Sequence, residues 1–463
     1  MKKTITALLG VFLGFAVAFL PLEALGPEAR AALGVLAWAI VWWVFRVLPD
    51  FVTAMIMAVL FLTVCRVPAG TVFSAFSGSS WWLLFTAFGL SLGVKCSGLM
   101  LRISLHVLRI FPNNFPGQVL GQLAVGLVTA PFIPSMSAKS AMLTPLAMGV
   151  SDSMGYEPRG KQATGIFLAM LTGLRSPGPL FISASVLGYA LLGQYPAELV
   201  GEYTMGYWFT AALPWFLFVS LVNYLAIVCI FRPAKEPGTS REELSRRIKA
   251  LGPMTAAEKK MLGVMLGVML LWVSEPLHGV PPFVSAIAAL CAAIALGVVK
   301  QENFSAGMNW GSIIFIGLVL GLAPVFEQLG INRWIVEACG GVFSYFMEKP
   351  VLMLACIGTA VVLLRFVIVS ELALVNIIMV FLVPLAMEHG INPWIIGFAV
   401  YALVNPWFFL YQNPVYMAAY YSVDGKMAEP IKVSLYCLVY LVICLAGLMV
   451  SLPWWRILGI YNI

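Results

Sequence analysis

Two short stretches hold most of the residues in this chain whose types could do chemistry. Pro134-Ser135-Met136-Ser137-Ala138-Lys139 and Ser370-Glu371-Leu372-Ala373-Leu374 set hydroxyls, a cation and a carboxylate inside otherwise apolar segments. Two further interruptions, Thr172-Gly173-Leu174-Arg175-Ser176-Pro177-Gly178-Pro179 and Tyr411-Gln412-Asn413-Pro414, break apolar runs of their own. An unpaired amide or carbonyl in hydrocarbon is costly, so irregular backbone at membrane depth is expected only where it is buried in protein or lines a wet cavity. Helix N-termini at such breaks offer free amides and partial positive charge to an anion, whereas carbonyl ends suit cations. The chemistry on offer is therefore ligand binding at one pocket, lined by Ser135, Met136, Ser137, Lys139, Arg175, Pro179, Ser370, Glu371, Leu372, Asn413 and Pro414. Taken singly, Ser, Gly and Pro in membrane helices are more often packing and kink residues. Lys139 and Arg175 are harder to read that way, because a cation deep in a bilayer is expensive and normally faces a polar interior. Glu371 and Arg365 fall under the same argument, with a mutually neutralising structural pair as the alternative.

The breaks gain weight from their register. Ser135 and Ser370, Pro158 and Pro393, and Pro179 and Pro414 each lie 235 residues apart, and Phe73-Ser74-Ala75 precedes Phe304-Ser305-Ala306 by 231. Two half-chains are thus expected to repeat one architecture, with the binding site between them. The Pro-Leu-Ala-Met pair at Pro145 and Pro384, 239 apart, falls out of this register and carries no weight.

Composition fixes the class. With 61% hydrophobic residues, 10% charged residues and a mean hydropathy of +0.96, apolar spans recur along the whole length, which reads as a multi-pass membrane protein. The net charge of +7 comes from Lys and Arg gathered in short loops, so it is no nucleic-acid signature. Eight cysteines stand singly without a CxxC pair, and His106, His278 and His389 lie far apart, which argues against a metal or His-based catalytic site. No catalytic dyad supports a membrane-embedded enzyme, and paired breaks of unequal chemistry suit alternating access better than a channel. The apolar run Ile5 to Leu20 after Met1-Lys2-Lys3 could pass for a secretory signal, but without a small-x-small cleavage site it reads as a retained first span.

These observations predict an all-α polytopic protein of about 11 transmembrane helices, in two inverted repeats that each hold a re-entrant hairpin and a broken helix. The first span occupies 1–27 and repeat 1 occupies 28–232, with a hairpin at 117–152 and a broken span at 163–192. A linker at 233–260 follows, then repeat 2 at 261–463, with a hairpin at 349–387 and a broken span at 393–421. Arg232 to Lys260 holds eight Lys or Arg against four Glu, which puts the linker and the N-terminus in the cytoplasm. The mixed segment Leu99 to Arg109 reads as an interfacial helix.

The same residues resemble the divalent anion:sodium symporter family, the dicarboxylate, citrate and sulfate transporters, over nearly the whole chain. Pro134-Ser135-Met136-Ser137-Ala138-Lys139 stands where the family carries Pro-Ser-Asn-Thr-Ala-Arg, and Ser370-Glu371-Leu372-Ala373-Leu374-Val375-Asn376 is similar to Ser-Asn-Thr-Ala-Thr-Ala-Asn. Ser176-Pro177-Gly178-Pro179 and Gln412-Asn413-Pro414 correspond to the family's Thr-Pro-Pro-Asn elements. The resemblance implies substrate binding at both tips, a coupling-ion role for Ser135, Ser370, Glu371 and Asn376, an elevator-type mechanism and a homodimer in a bacterial inner membrane. It implies no cofactor beyond a coupling ion, sodium or a proton. Both tip asparagines are replaced here, by Met136 and Glu371, and a thioether is a poor ligand for a hard cation. Lys139 looks like the basic residue of the family's sodium-independent exchangers. The expected function is therefore secondary active transport of a small di-anion by symport or, favoured by these departures, sodium-independent antiport. Proton-coupled export through Glu371 is the alternative.

Overall fold

A computed structural model describes residues 2–22, 24–233, 242–347 and 349–461, and part of the expected linker at 233–260 lies outside them. Among the described residues the chain is helical with no strand. In a bilayer this follows from the need of each backbone amide to find its partner within its own segment. Among the described residues, four helices are long and apolar enough to cross alone: Met205–Phe231, Trp310–Gln328, Glu371–Glu388 and Pro430–Ile457. Shorter apolar helices such as Asp50–Thr63, Pro282–Ala295 and Pro350–Arg365 fall below that length, so a figure of 11 crossings rests on elements that do not meet it one by one.

The segment read as interfacial forms the helix Leu99–Ile110, bent 72° from Ser79–Ser97 at Gly98. Gly98 takes φ +80, a left-handed conformation that side chains disfavour, so glycine makes the corner. Arg102 on this helix is buried and donates to Glu258 at 2.8 Å and to the Gly252 carbonyl at 2.9 Å. It thereby ties the C-terminal part of the linker to the helix Leu99–Ile110.

Two hairpins position the site. The first joins Phe115–Thr129 to Met136–Ser153 and the second joins Pro350–Arg365 to Glu371–Glu388. Each packs on the first half of a broken span, Lys161–Arg175 and Pro393–Val404 respectively. Their second arms cross over. The second arm of the first hairpin lies against Pro414–Tyr421, where the Ser140 hydroxyl donates to the Val415 carbonyl at 3.0 Å. The second arm of the second hairpin lies against Val186–Gln194, where Gln194 Nε2 donates to Asn376 Oδ1 at 2.7 Å. The long helices Met205–Phe231 and Pro430–Ile457 pack together behind this assembly, joined by Tyr436 to Asn223 at 2.7 Å and Trp215 to the Cys444 carbonyl at 3.1 Å.

Candidate functional site

Helix starts build the site. At the first tip Pro134 ends the irregular stretch and Ser135, in extended backbone, caps Met136–Ser153 by accepting from Ala138 N at 3.4 Å. Ser370 does the same for Glu371–Glu388, accepting from Ala373 N at 3.3 Å. The broken spans restart alike. Ser185 caps Val186–Gln194, and Asn413 Oδ1 accepts from Val415 N and Tyr416 N, both at 2.9 Å. Each cap satisfies donors that the first helical turn leaves unpaired.

These four helix starts line one cavity of about 490 Å³. Two more line it as well, Asp50–Thr63 and Trp310–Leu320, the second capped by Asn309. Six helix N-termini therefore open onto one space, each contributing partial positive charge, and two of them carry a carboxylate, Asp50 and Glu371, at their first position. That is an environment for an anion, and it owes more to backbone than to basic side chains.

Of the charged side chains, Arg46, Asp50 and Glu371 line the cavity, whereas Lys139, Arg175 and Arg365 sit behind its wall. Glu371 Oε1 accepts from Arg175 Nη2 at 2.9 Å, Arg365 Nη2 at 3.3 Å and Asn413 Nδ2 at 2.7 Å. Arg365 also donates to the carbonyls of Val369 at 2.8 Å and Gln412 at 2.7 Å, which pins the second tip to the second break. Arg175 lies over the Trp407 ring at 5.7 Å. Two guanidinium groups against one carboxylate leave this cluster one positive charge in excess. Lys139 is fully buried and donates to the Ala184 carbonyl at 3.1 Å, bracing the turn that leads into Ser185.

Of the residues expected at the site, Ser135, Met136, Ser137, Ser370, Glu371, Leu372 and Pro414 line the cavity. Lys139, Arg175 and Asn413 stand one layer back. The Pro179 carbonyl accepts from Trp208 Nε1 at 2.8 Å, and Asn376 is occupied by Gln194 and the Leu372 carbonyl. The breaks also run further than the motifs that announced them: helix is lost from Ser176 to Ser185 and from Asn405 to Asn413, apart from short 3₁₀ turns. Sequence reasoning missed Ser185, Asn309, Arg46 and Asp50. A signal existed for three of them, since Ser185 and Asn309 precede apolar helices as capping residues and Asp50 follows Pro49 at a helix start.

A family profile described as the sodium:sulfate symporter transmembrane region matches residues 1–461. The Escherichia coli inner membrane protein YbhI is 26% identical over 334 residues, 69% of this chain and 70% of that protein. The Escherichia coli L-tartrate/succinate antiporter is 24% identical over 310 residues, 65% of this chain and 62% of its own length. The chain thus spans about two thirds of the length of these relatives. In fold it is similar to the crystal structure of the Alcanivorax borkumensis YdaH transporter, with a TM-score of 0.58 at 16% identity over 84% of this chain and 88% of that one. The family and the antiporter are transporters, not enzymes.

Proposed function

The chain belongs to the sodium:sulfate symporter family, and from that premise we propose that it is a secondary carrier of a small di-anion, a dicarboxylate or a sulfate-like anion, working by exchange. The observation that carries this reading is the convergence of six helix N-termini on one cavity, backed by a buried cluster with one excess positive charge. A di-anion of dicarboxylate size suits about 490 Å³ and has two charged ends for two hairpin tips. The tartrate/succinate relative carries substrates of that chemistry by its name.

In the same reading the two half-chains are inverted repeats, and the hairpins and broken spans move as one unit. The helices Asp50–Thr63 and Trp310–Leu320 belong to a fixed wall that also carries the contacts of a homodimer. With the N-terminus and the linker in the cytoplasm of a bacterial inner membrane, the cavity opens inward, because the loop holding Arg46 lies on that side. Sodium is a co-substrate of the family by its description, yet the donors here suit it poorly. Met136 offers sulfur, and the Asn376 oxygen already accepts from Gln194. Glu371 is committed to two guanidinium groups and an amide, which fits a structural cluster better than a proton carrier.

The test is flux of succinate and of sulfate into liposomes holding purified protein, with sodium, proton and counter-anion gradients imposed one at a time. Exchange predicts that a trans di-anion drives uptake without sodium. Uptake that needs sodium, or that follows a proton gradient and is abolished in Glu371→Gln, would overturn the exchange reading.

A further inference from the structure

A second cavity, of about 660 Å³, lies apart from the site described above. The helices Val186–Gln194 and Trp310–Gln328 begin at the anion cavity and bring their last turns, with Gln194 and Glu327, to this one. Its chemistry is the reverse of the first. Glu198 and Glu327 line it, and no Lys, Arg or His does. Gln194, only 4% exposed, donates through Nε2 to Asn376 Oδ1, because Asn376 Nδ2 is turned to the Leu372 carbonyl. That leaves Gln194 Oε1 without a donor, and Asn332 Oδ1, on another residue of the wall, also lacks one. Two prolines add to the surplus of acceptors. Pro324 and Pro384 have no amide to give the carbonyls one helical turn before them, those of Leu320 and Val380, and all four residues line the cavity. The starts of Ser79–Ser97 and Ile331–Met347 also reach this space, so its negative character comes from carboxylates and unpaired oxygens and not from helix dipoles alone.

We infer that this cavity binds an organic cation rich in N–H donors, of the class of a short aliphatic diamine. Two carboxylates on separate helices suit two ammonium groups. An ammonium also brings the hydrogens that the bare oxygens need, since a buried acceptor without a donor is costly. A bare metal ion fits less well: among the described residues no three of His, Cys, Asp and Glu gather as such a site would need. Val186–Gln194 and Glu371–Glu388, from the hairpin and broken-span unit, and Ser79–Ser97 and Trp310–Gln328, outside that unit, all contribute to the cavity. On the reading that this unit moves past the rest, a diamine lodged between them arrests the carrier. The binding site itself does not depend on that reading.

Calorimetry of the purified protein with 1,4-diaminobutane, without any anion substrate, tests the site. One diamine per chain is expected to bind saturably, and tetramethylammonium, which carries charge but no N–H, at least about tenfold more weakly. Joint substitution Glu198→Gln and Glu327→Gln, both at exposed positions, should weaken the diamine about tenfold, a few fold for each exposed ion pair. In liposomes the diamine should lower the maximal rate of succinate exchange without raising its KM, and the double variant should escape that inhibition. Diamine binding that is absent, that tetramethylammonium or Mg²⁺ matches, or that survives the double substitution overturns this inference, and does so alone where succinate is still exchanged. Inhibition that is missing or competitive with succinate overturns the arrest. Saturable binding lost in the double variant of a protein that carries neither succinate nor sulfate upholds the site and overturns the proposed function.

Discussion

The two hairpin tips use one backbone solution and then part ways. Ser135 and Ser370 take nearly the same extended conformation, φ −79 and −71, and cap their helices through similar bonds. The next residue is Met136 at one tip and Glu371 at the other. The first tip presents no charge to the cavity, while the second presents a carboxylate held by Arg175, Arg365 and Asn413. Packing differs too. In the first hairpin a Cβ on Gly126 would run into the Gly173 carbonyl oxygen, so the hairpin and the broken span touch backbone to backbone. In the second, a Cβ on Gly358 would meet only the ends of Leu403 and Leu445, at 2.9 and 3.0 Å. The backbone thus supplies the anion-binding ends in both hairpins, whereas one hairpin is fixed by close contact and the other by an ionic cluster.

The largest effect is expected where the ionic cluster is broken. Glu371→Ala leaves Arg175 and Arg365, both about fully buried, facing each other without their carboxylate. The loss should be about 3–5 kcal/mol, read as a fall in thermal midpoint of the detergent-purified protein. A fall worth less than about 1 kcal/mol would mean that water or lipid compensates the arginines and that the second tip is not held ionically. Next comes the contrast between the glycines. Gly126→Ala should cost about 1–3 kcal/mol because backbone must move, and Gly358→Ala well under half of that because two leucine ends can turn aside. Equal costs would erase the packing difference between the hairpins.

Much of this was legible in the sequence, for reasons that can be named. Ser135 and Ser370 stand out because a capping residue inside an apolar run has few other uses. Pro134 and Pro414 mark where helix cannot continue. Glu371 had Lys139, Arg175 and Arg365 as candidate partners, and the sequence could not choose among them. Arg365 lies six residues away, whereas Arg175 lies 196 residues away and reaches Glu371 through the packing of distant helices. Lys139 shows a second limit: its charge and position suggest a substrate contact, while the fold sets it behind the cavity wall with one N–H on the Ala184 carbonyl. Asp50 and Asn309 lie outside both hairpins, and only the folding of distant helices brings them to the cavity.

Smaller effects test whether the tips are alike. Ser135→Ala and Ser370→Ala should each cost about 1 kcal/mol in thermal stability, the usual worth of an N-cap. Both should also weaken succinate binding, since each tip is proposed to take one end of the anion. A loss of affinity confined to one tip would show that a single hairpin holds the substrate and that the resemblance between the tips stops at the backbone.

The smallest expected effect is that of sodium. At the first tip the hydroxyls of Ser135 and Ser137 are the side-chain oxygens at hand, and Met136 adds only a thioether. At the second, Glu371 Oε1 already accepts three donors and Asn376 Oδ1 accepts from Gln194. A hard cation wants six or so oxygens free to turn toward it, and neither tip offers that set from side chains. Replacing sodium by choline should therefore change succinate exchange by less than about twofold. Met136→Asn, which returns an amide oxygen to the first tip, should raise that dependence while leaving the second tip unaltered. Steep, saturable sodium dependence in the unmodified protein would show that backbone carbonyls at the breaks complete a cation site, and that the difference in side chains between the two tips does not decide the coupling.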